Sequence, residues 1–448
     1  MNGLLKIHRF YDNGDVYGVN KLYGLAREVL LLPKCPAELI DALLSILHFS
    51  TDSAQEYSSC LIELFNTIKD NSDQVEINKR FSLSFSEDAE IEPKYQPIVI
   101  TKGLKILGAI FASDTKKIKE WFDVNELMGS IILPYLDQPL LAPKIEALNC
   151  LGILSIAYEE MAVQNIVGIA ELIFKAPLPL RTLSLQLVMD ILYYYKPEKF
   201  KELDCCELLI SCLNTRKDEL LSIAVEGIVK LMISKRIASE SLVENLLILY
   251  FHPRTNTVPR VRQCLAYFFN GWTTNEPKHV EMISSLLLQV LIKLFQISLQ
   301  HEMMTNPLDI AVQMIDWIDP RKSINSESDF DQGFQVNLVK EMLKNCFSYT
   351  AVQVKYCASI LSKFYIEKAG DERIATNALY IEYLMQHVDE NAIITTLKRY
   401  KTNSMKLTSK GYQLPENVRE SIEKDVNKML VGDEHMIEFG TPSKSMIE

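Results

Sequence analysis

Three short clusters of positively charged side chains are the features of this 448-residue chain that could bind a ligand. The segment NAIITTLKRYKTNSMKLTSKGY at 391–412 has no acidic residue, HPRTNTVPRVR at 252–262 has none either, and DPRKS lies at 319–323. Cations without neighbouring acids can contact phosphate groups, so these segments predict electrostatic binding of a polyanion. The predicted contact residues are Lys398, Arg399, Lys401, Lys406, Lys410, Arg254, Arg260, Arg262, Arg321 and Lys322.

Motifs for catalysis or metal binding are not found. The sequence has no Walker loop, no G-x-G-x-x-G, no H-E-x-x-H and no G-x-S-x-G, so the common transfer and hydrolysis reactions lack their minimal parts. Cys205, Cys206 and Cys212 lack the C-x-x-C spacing of a zinc site and have no histidine nearby. The sequence therefore predicts a protein that is not an enzyme and holds no metal or cofactor.

The composition favours a helical protein of the cytosol or nucleus. Apolar residues make up 48% of the chain and charged residues 23%, while glycine (16) and proline (17) are scarce. The nine cysteines lie mostly in apolar segments, and no secretion signal is visible. No apolar stretch reaches the length of a bilayer span, so no membrane contact is expected. The net charge of −11 excludes a uniformly basic surface but not a local basic groove.

The elements that must position these cations are amphipathic helices that recur along the chain. Similar apolar blocks begin at 143, 180, 220, 261 and 354, with spacings of 37, 40, 41 and 93 residues, the last about twice one unit. This is the HEAT/armadillo period. A second apolar helix, as at 278–295, lies between successive blocks. We therefore predict an all-α fold, a HEAT-repeat α-solenoid in which helical hairpins stack into a curved superhelix with a concave groove.

Breaks in this pattern predict the domain organisation. Residues 1–81 are expected to form helical repeats, 82–93 an acidic linker, 94–431 the HEAT-repeat solenoid and 432–448 a flexible tail. Thr441 precedes a proline in that tail and is a candidate phosphorylation site, where added negative charge would oppose polyanion binding.

Structural roles for the cations are open at this point. Arg262 and Lys355 occupy the second position of their blocks, where a base commonly pairs with the turn of a neighbouring repeat. Arg254 and Arg260 lie between two helices. This segment is as consistent with a solvated loop as with a phosphate-binding site. Tyr400 and Tyr412 are interleaved with the cations of 391–412.

The segment at 230–269 resembles the HEAT-repeat subunit of condensin of the CAP-G type. The resemblance rests on E-G-x-x-K-L-M from Glu226 to Met232, on R-x-C-L-x-x-F-F from Arg262 to Phe269, and on the block at 131–162 that contains Cys150, Leu151 and Gly152. It covers 125–270 closely and the flanks loosely. Since members of that family are about twice this length, the chain is expected to correspond to their C-terminal half.

The resemblance implies a function. Such a subunit binds the kleisin chain of condensin and, with it, double-stranded DNA for mitotic chromosome condensation, while the SMC ATPase subunits are reached through the kleisin. It implies a location in the nucleus and on chromosomes, with a cytoplasmic pool. Phosphate contacts carry no sequence information, which suits binding to any chromosome segment. The alternative, favoured by the acidic net charge, is a HEAT-repeat scaffold of nuclear transport or a vesicle coat that binds protein segments and no DNA.

Overall fold

A computed structural model describes residues 15–32, 35–82, 96–301, 304–322, 331 and 333–431. Within these residues all regular structure is helical, as predicted. The expected acidic linker, apart from Ser82, and the expected tail with Thr441 lie outside the described residues. The chain forms two compact units, with the boundary after Asp204.

The described residues of the first unit form ten α-helices. Residues of α2, α4, α8 and α10 contact one another in that order, while α1, α3 and α9 pack beside this row. Tyr195, just after α10, donates its hydroxyl to the carbonyl of Ile156 in α8 over 2.8 Å. The helices are α1 (Val16–Leu31), α2 (Ala37–Phe49), α3 (Ala54–Ser82), α4 (Gln96–Ser113), α5 (Ile118–Trp121), α6 (Val124–Leu127), α7 (Leu133–Leu136), α8 (Leu141–Ala157), α9 (Glu159–Lys175) and α10 (Leu178–Tyr194).

The second unit consists of two rows of helices. In the first row, α12, α14, α16, α18 and α20 contact one another in that order. In the second row, α11, α13 and α15 contact one another in order, and so do α17, α19 and α21. The helices are α11 (Cys205–Leu213), α12 (Asp218–Ile233), α13 (Glu240–Phe251), α14 (Pro259–Asn275), α15 (Pro277–Ser298), α16 (Pro307–Trp317), α17 (Gln335–Asn345), α18 (Ala351–Ile360), α19 (Asp371–Gln386), α20 (Asn391–Met405) and α21 (Glu416–Val431).

These rows confirm the repeat derived from the sequence. The blocks fall in α8, α10, α12, α14 and α18, and the small or aliphatic residue of each block is buried: Ala147, Ser184, Ala224, Leu265 and Ala358. The spacing of 93 residues between the last two blocks contains α16, which lies between α14 and α18 in the first row. The double spacing is therefore one additional unit.

Aromatic packing fixes the helix that carries Arg260 and Arg262. Pro259 is the first residue of α14. The backbone N–H that proline lacks would have no partner within the helix at this position. Phe269 of α14 stacks on Trp317 of α16, with ring centroids 4.9 Å apart, and the Trp317 indole donates to the Asn270 side chain over 2.8 Å. Aromatic pairs of this kind add about 0.5–1.5 kcal/mol to the gain from burial.

Helix α15 corrects one expectation. It is 22 residues long and has a mean hydropathy of 1.6 in its most apolar window, so among the described helices it alone passes a length and composition test for a membrane span. The expectation that no stretch reaches that length was wrong. The helix packs against α13, α14 and α16, and 56% of the window is buried. A core helix meets the same test.

A glycine allows close packing in the first unit. Gly152 of α8 faces Leu187 of α10, and a Cβ placed on Gly152 would lie 2.3 Å from Cδ2 of Leu187. Two non-bonded carbons do not approach that closely, so a side chain at this position would force Leu187 to move.

Candidate nucleic-acid interface

Helix α20 presents the longest cationic segment to solvent. Ile393, Leu397, Tyr400 and Ser404 are buried at spacings of four, three and four residues, so they form one stripe that faces the core. Lys398 and Arg399 lie outside this stripe and are exposed. The apolar stripe thus fixes which side of α20 carries the charge.

The cations of this segment differ in their partners. Lys398, Arg399 and Lys410 are exposed, and none of them forms an ion pair within the part of the chain that the structure describes. Lys406 donates to the side-chain oxygen of Asn403 over 3.2 Å. Lys401 is paired with Glu382 of α19. Four of these five cations therefore carry charge that no described carboxylate neutralises.

Arg260 is neutralised locally. Its guanidinium forms two hydrogen bonds with the carboxylate of Glu226 in α12, one of them 2.8 Å long. This carboxylate raises the pKa of Arg260. The pair joins adjacent helices of the first row, but because the arginine is exposed, solvent screens the attraction and the pair adds little to stability.

Arg254 has a structural role. Its Nη2 donates to the carbonyl oxygens of Leu213 and Thr215 over 3.1 and 2.7 Å, at the end of α11. The side chain is half-buried, and burial lowers its pKa. A guanidinium at this position satisfies carbonyls that the helix end leaves without a partner.

His252 holds the backbone next to Arg254. Its Nδ1 accepts a hydrogen bond from the Arg254 backbone N–H over 3.1 Å, so the ring must be neutral at that nitrogen. Burial, together with the nearby His301 and Arg254, lowers the pKa of His252 to about 4. Arg254 is therefore held by two carbonyl oxygens and by a neutral histidine.

The bases at the second position of the blocks behave differently from one another. Lys355 pairs with Glu390, which precedes α20, over 2.7 Å, as expected for a contact to the next repeat. Arg181 donates to the carbonyl of Ile173 over 2.6 Å. Arg262 is half-exposed and has no ion pair within the described residues.

The third cluster carries compensating acids. Arg321 pairs with Asp319 at 2.6 Å and lies over the ring of Tyr365, 4.5 Å from its centroid. Lys322 pairs with Asp316 at 2.5 Å. Both acids are near in sequence, so this cluster presents little net charge.

The candidate residues are brought together only in part. Helices α14 and α20 belong to the same row of the second unit, with α16 and α18 between them. The unneutralised charge lies mainly on α20 and the residues that follow it.

The aromatic residues also differ from the sequence expectation. Tyr400, which the sequence places among the cations, is buried in the stripe of α20, and burial raises the pKa of its hydroxyl. Tyr267 of α14 is 84% exposed instead. It lies two helical turns after Arg260, so both residues are on one side of the helix. This spacing is visible in the sequence.

Rows of paired helices with buried small residues at a period of about 40 define a HEAT-type helical-repeat protein. The chain belongs to the family described as nuclear condensing complex subunits, C-terminal domain (Cnd3), whose model matches residues 102–366. This match extends beyond the region of close resemblance noted in the sequence.

Individual relatives agree with this family. The chain is 22% identical over 357 residues to condensin complex subunit 3 of Schizosaccharomyces pombe. The aligned region covers 71% of this chain and 41% of that protein. The chain is 23% identical over 221 residues to condensin complex subunit 3 of Saccharomyces cerevisiae, with 45% and 21% covered. The chain thus spans less than half the length of these relatives.

A solved structure shares the fold. The crystal structure of the S. pombe condensin Cnd3–Cnd2 subcomplex matches with a TM-score of 0.70 at 19% identity, covering 90% of this chain and 53% of that chain. At this identity the match supports the HEAT-type helical fold.

Proposed function

We propose that this chain is a non-catalytic subunit of a condensin complex, of the CAP-G type, that binds a kleisin and contacts double-stranded DNA without sequence preference. Its SMC ATPase partners are reached through the kleisin, and its place of action is the chromosome in the nucleus. The observation that carries the DNA contact is the exposed pair Lys398 and Arg399, without acidic partners in the described chain. The kleisin contact is supported by the matching subcomplex, which pairs Cnd3 with Cnd2.

The proposed DNA contact is centred on 398–410, together with Arg262. Arg260, Arg321, Lys322 and Lys401 have carboxylate partners, and Arg254 is held by carbonyls, so their contribution to attracting DNA is smaller. Since attraction of a polyanion depends on net local charge, the unpaired cations dominate.

The test is the salt dependence of binding to a short fluorescent duplex, with Lys398→Glu and Arg399→Glu combined. Each phosphate contact contributes about −0.9 to the slope of log affinity against log salt, so losing two should make the slope shallower by about 1.8. The matched control combines Arg216→Glu and Lys217→Glu, two adjacent exposed cations of the same unit with the same charge change. Equal slopes in the wild type and the 398/399 variant would remove these residues from the interface.

A protein-only scaffold is the second candidate, favoured by the net charge of −11 and by the paired arginines. A chain that binds the kleisin of its own organism but not duplex DNA at about 50 mM salt would favour it. Binding to both ligands favours the condensin subunit.

A further inference from the structure

A cavity with aromatic walls lies in the first unit, where the short helices α5 and α6 meet the start of α9. Its volume is about 570 Å³, within the range of small-molecule sites. Trp121, Tyr158 and Met161 line it and are half-buried. The cavity therefore offers apolar surface that a ligand could cover.

The charged groups of the lining are mostly acidic. They are three carboxylates and one ammonium group, those of Glu120, Asp123, Glu160 and Lys119. Glu120 and Glu160 are exposed and form no ion pair within the residues that the structure describes. Glu120 belongs to α5 and Glu160 to α9, so the acids come from two walls of the cavity. An anion would meet them at close range, and the charge therefore favours a cationic ligand.

The ring of Tyr158 already receives an ammonium group. Nζ of Lys119 lies 4.3 Å from the centroid of this ring, and Lys119 forms no ion pair within the described part of the chain. An aromatic face attracts a cation in this geometry. The internal ammonium group thus indicates the kind of group that this wall of the cavity accommodates.

Tyr158 is held in place by two hydrogen bonds. Its hydroxyl accepts from the backbone N–H of Lys119 over 3.2 Å and donates to the carbonyl of Thr115 over 3.4 Å. The ring is therefore oriented before a ligand arrives, which lowers the entropic cost of binding.

We propose that this cavity binds a free aliphatic polyamine, a molecule whose ammonium groups are joined by methylene chains. One ammonium group lies over the Tyr158 ring, in the place of the Lys119 side chain, and another pairs with Glu160. The methylene chain packs on Trp121 and Met161. The inference does not rest on the proposed DNA contact, whose residues belong to the second unit.

The test is calorimetric titration of the intact chain with spermidine at about 150 mM salt, where general attraction to an acidic protein is screened. Glu160→Gln should weaken binding about three- to tenfold, because it removes a charge-assisted contact. The matched control is Glu126→Gln, which removes an exposed carboxylate of α6 that does not line the cavity. This control should bind spermidine as the wild type does.

Removal of the internal cation should have the opposite effect. Lys119→Met frees the Tyr158 ring and removes a repelling charge, so spermidine should bind at least about twofold more tightly. Its control is Lys116→Met, which removes an exposed cation outside the cavity and should leave the affinity unchanged. Thermal melts establish that each variant is folded, and either pair of variants decides the proposal without the other.

Three results would overturn the proposal. The first is a lack of saturable spermidine binding. The second is equal weakening by Glu160→Gln and Glu126→Gln, which would show general attraction to a chain with a net charge of −11. The third is butylamine, which has a single ammonium group, binding as tightly as spermidine.

Discussion

Replacement of Arg254 by methionine tests whether the purely basic turn between α13 and α14 is a structural joint. The change removes two hydrogen bonds from a charged donor to the carbonyls of Leu213 and Thr215. Hydrogen bonds to charged groups contribute about 1.5–3 kcal/mol each. The variant also avoids the cost of desolvating a half-buried guanidinium, which offsets part of the loss. We expect a net loss of about 2–3 kcal/mol at the end of α11.

Hydrogen exchange measured by mass spectrometry reports this loss where it occurs. Opening that costs about 2–3 kcal/mol less should accelerate exchange in 205–213 by about 30- to 150-fold. The control is Arg216→Met, which removes an exposed arginine three residues after the last residue of α11 and should change exchange little. The slope of DNA affinity against salt should be the same in both variants.

Two results would refute this reasoning. Exchange in 205–213 that is equally fast in the Arg254 and Arg216 variants would show that the carbonyl contacts do not stabilise α11. A DNA salt slope shallower by about 0.9 in the Arg254 variant alone would place this guanidinium on a phosphate.

Two other predictions rest on the Gly152–Leu187 contact and on the environment of His252. Gly152→Ala places a Cβ 2.3 Å from Leu187 Cδ2 and should cost about 1–3 kcal/mol, measured as a lower urea midpoint, whereas Gly168→Ala meets nothing within 4 Å and should gain about 0.5–1 kcal/mol. The pKa of His252 is lowered to about 4, below the unfolded value near 6.5. The unfolded chain therefore binds the proton first, and stability is lost as pH falls from about 6.5 to about 4, by on the order of 1 kcal/mol because the ring is partly exposed. His252→Asn, which keeps an acceptor, should lose less on acidification in thermal melts; equal losses in both proteins would contradict the assignment.

Much of the fold could be predicted because helical spacing is a local property of the sequence. The blocks at 143, 180, 220, 261 and 354 each fall within or overlap a helix of the predicted kind. The unit formed by α16 was anticipated only by the double spacing between 261 and 354, and no block was identified in its sequence, PLDIAVQMIDW. In the structure, α16 is recognised as a repeat unit by its position between α14 and α18 in the first row, and not by its sequence pattern.

The candidate site was less predictable because charge balance depends on distant residues. Glu226 lies 34 residues before Arg260, and Glu382 lies 19 residues before Lys401, so a local count of acids missed both pairs. Asp319 and Asp316 were near enough to Arg321 and Lys322 to be noticed. The burial of Tyr400 follows from the phase of the apolar stripe, which the interleaved pattern of aromatic and basic residues does not reveal.

Contacts between neighbours within a row have a consequence for how the second unit loses its structure. Each helix of the first row touches the one before and the one after it, so the contacts join adjacent repeats and cooperativity is limited to them. Heat or denaturant is then expected to release repeats in segments, and a single melting temperature would average over unequal local stabilities. A protein that grips a partner on one repeat can in this way stay folded there while other repeats open.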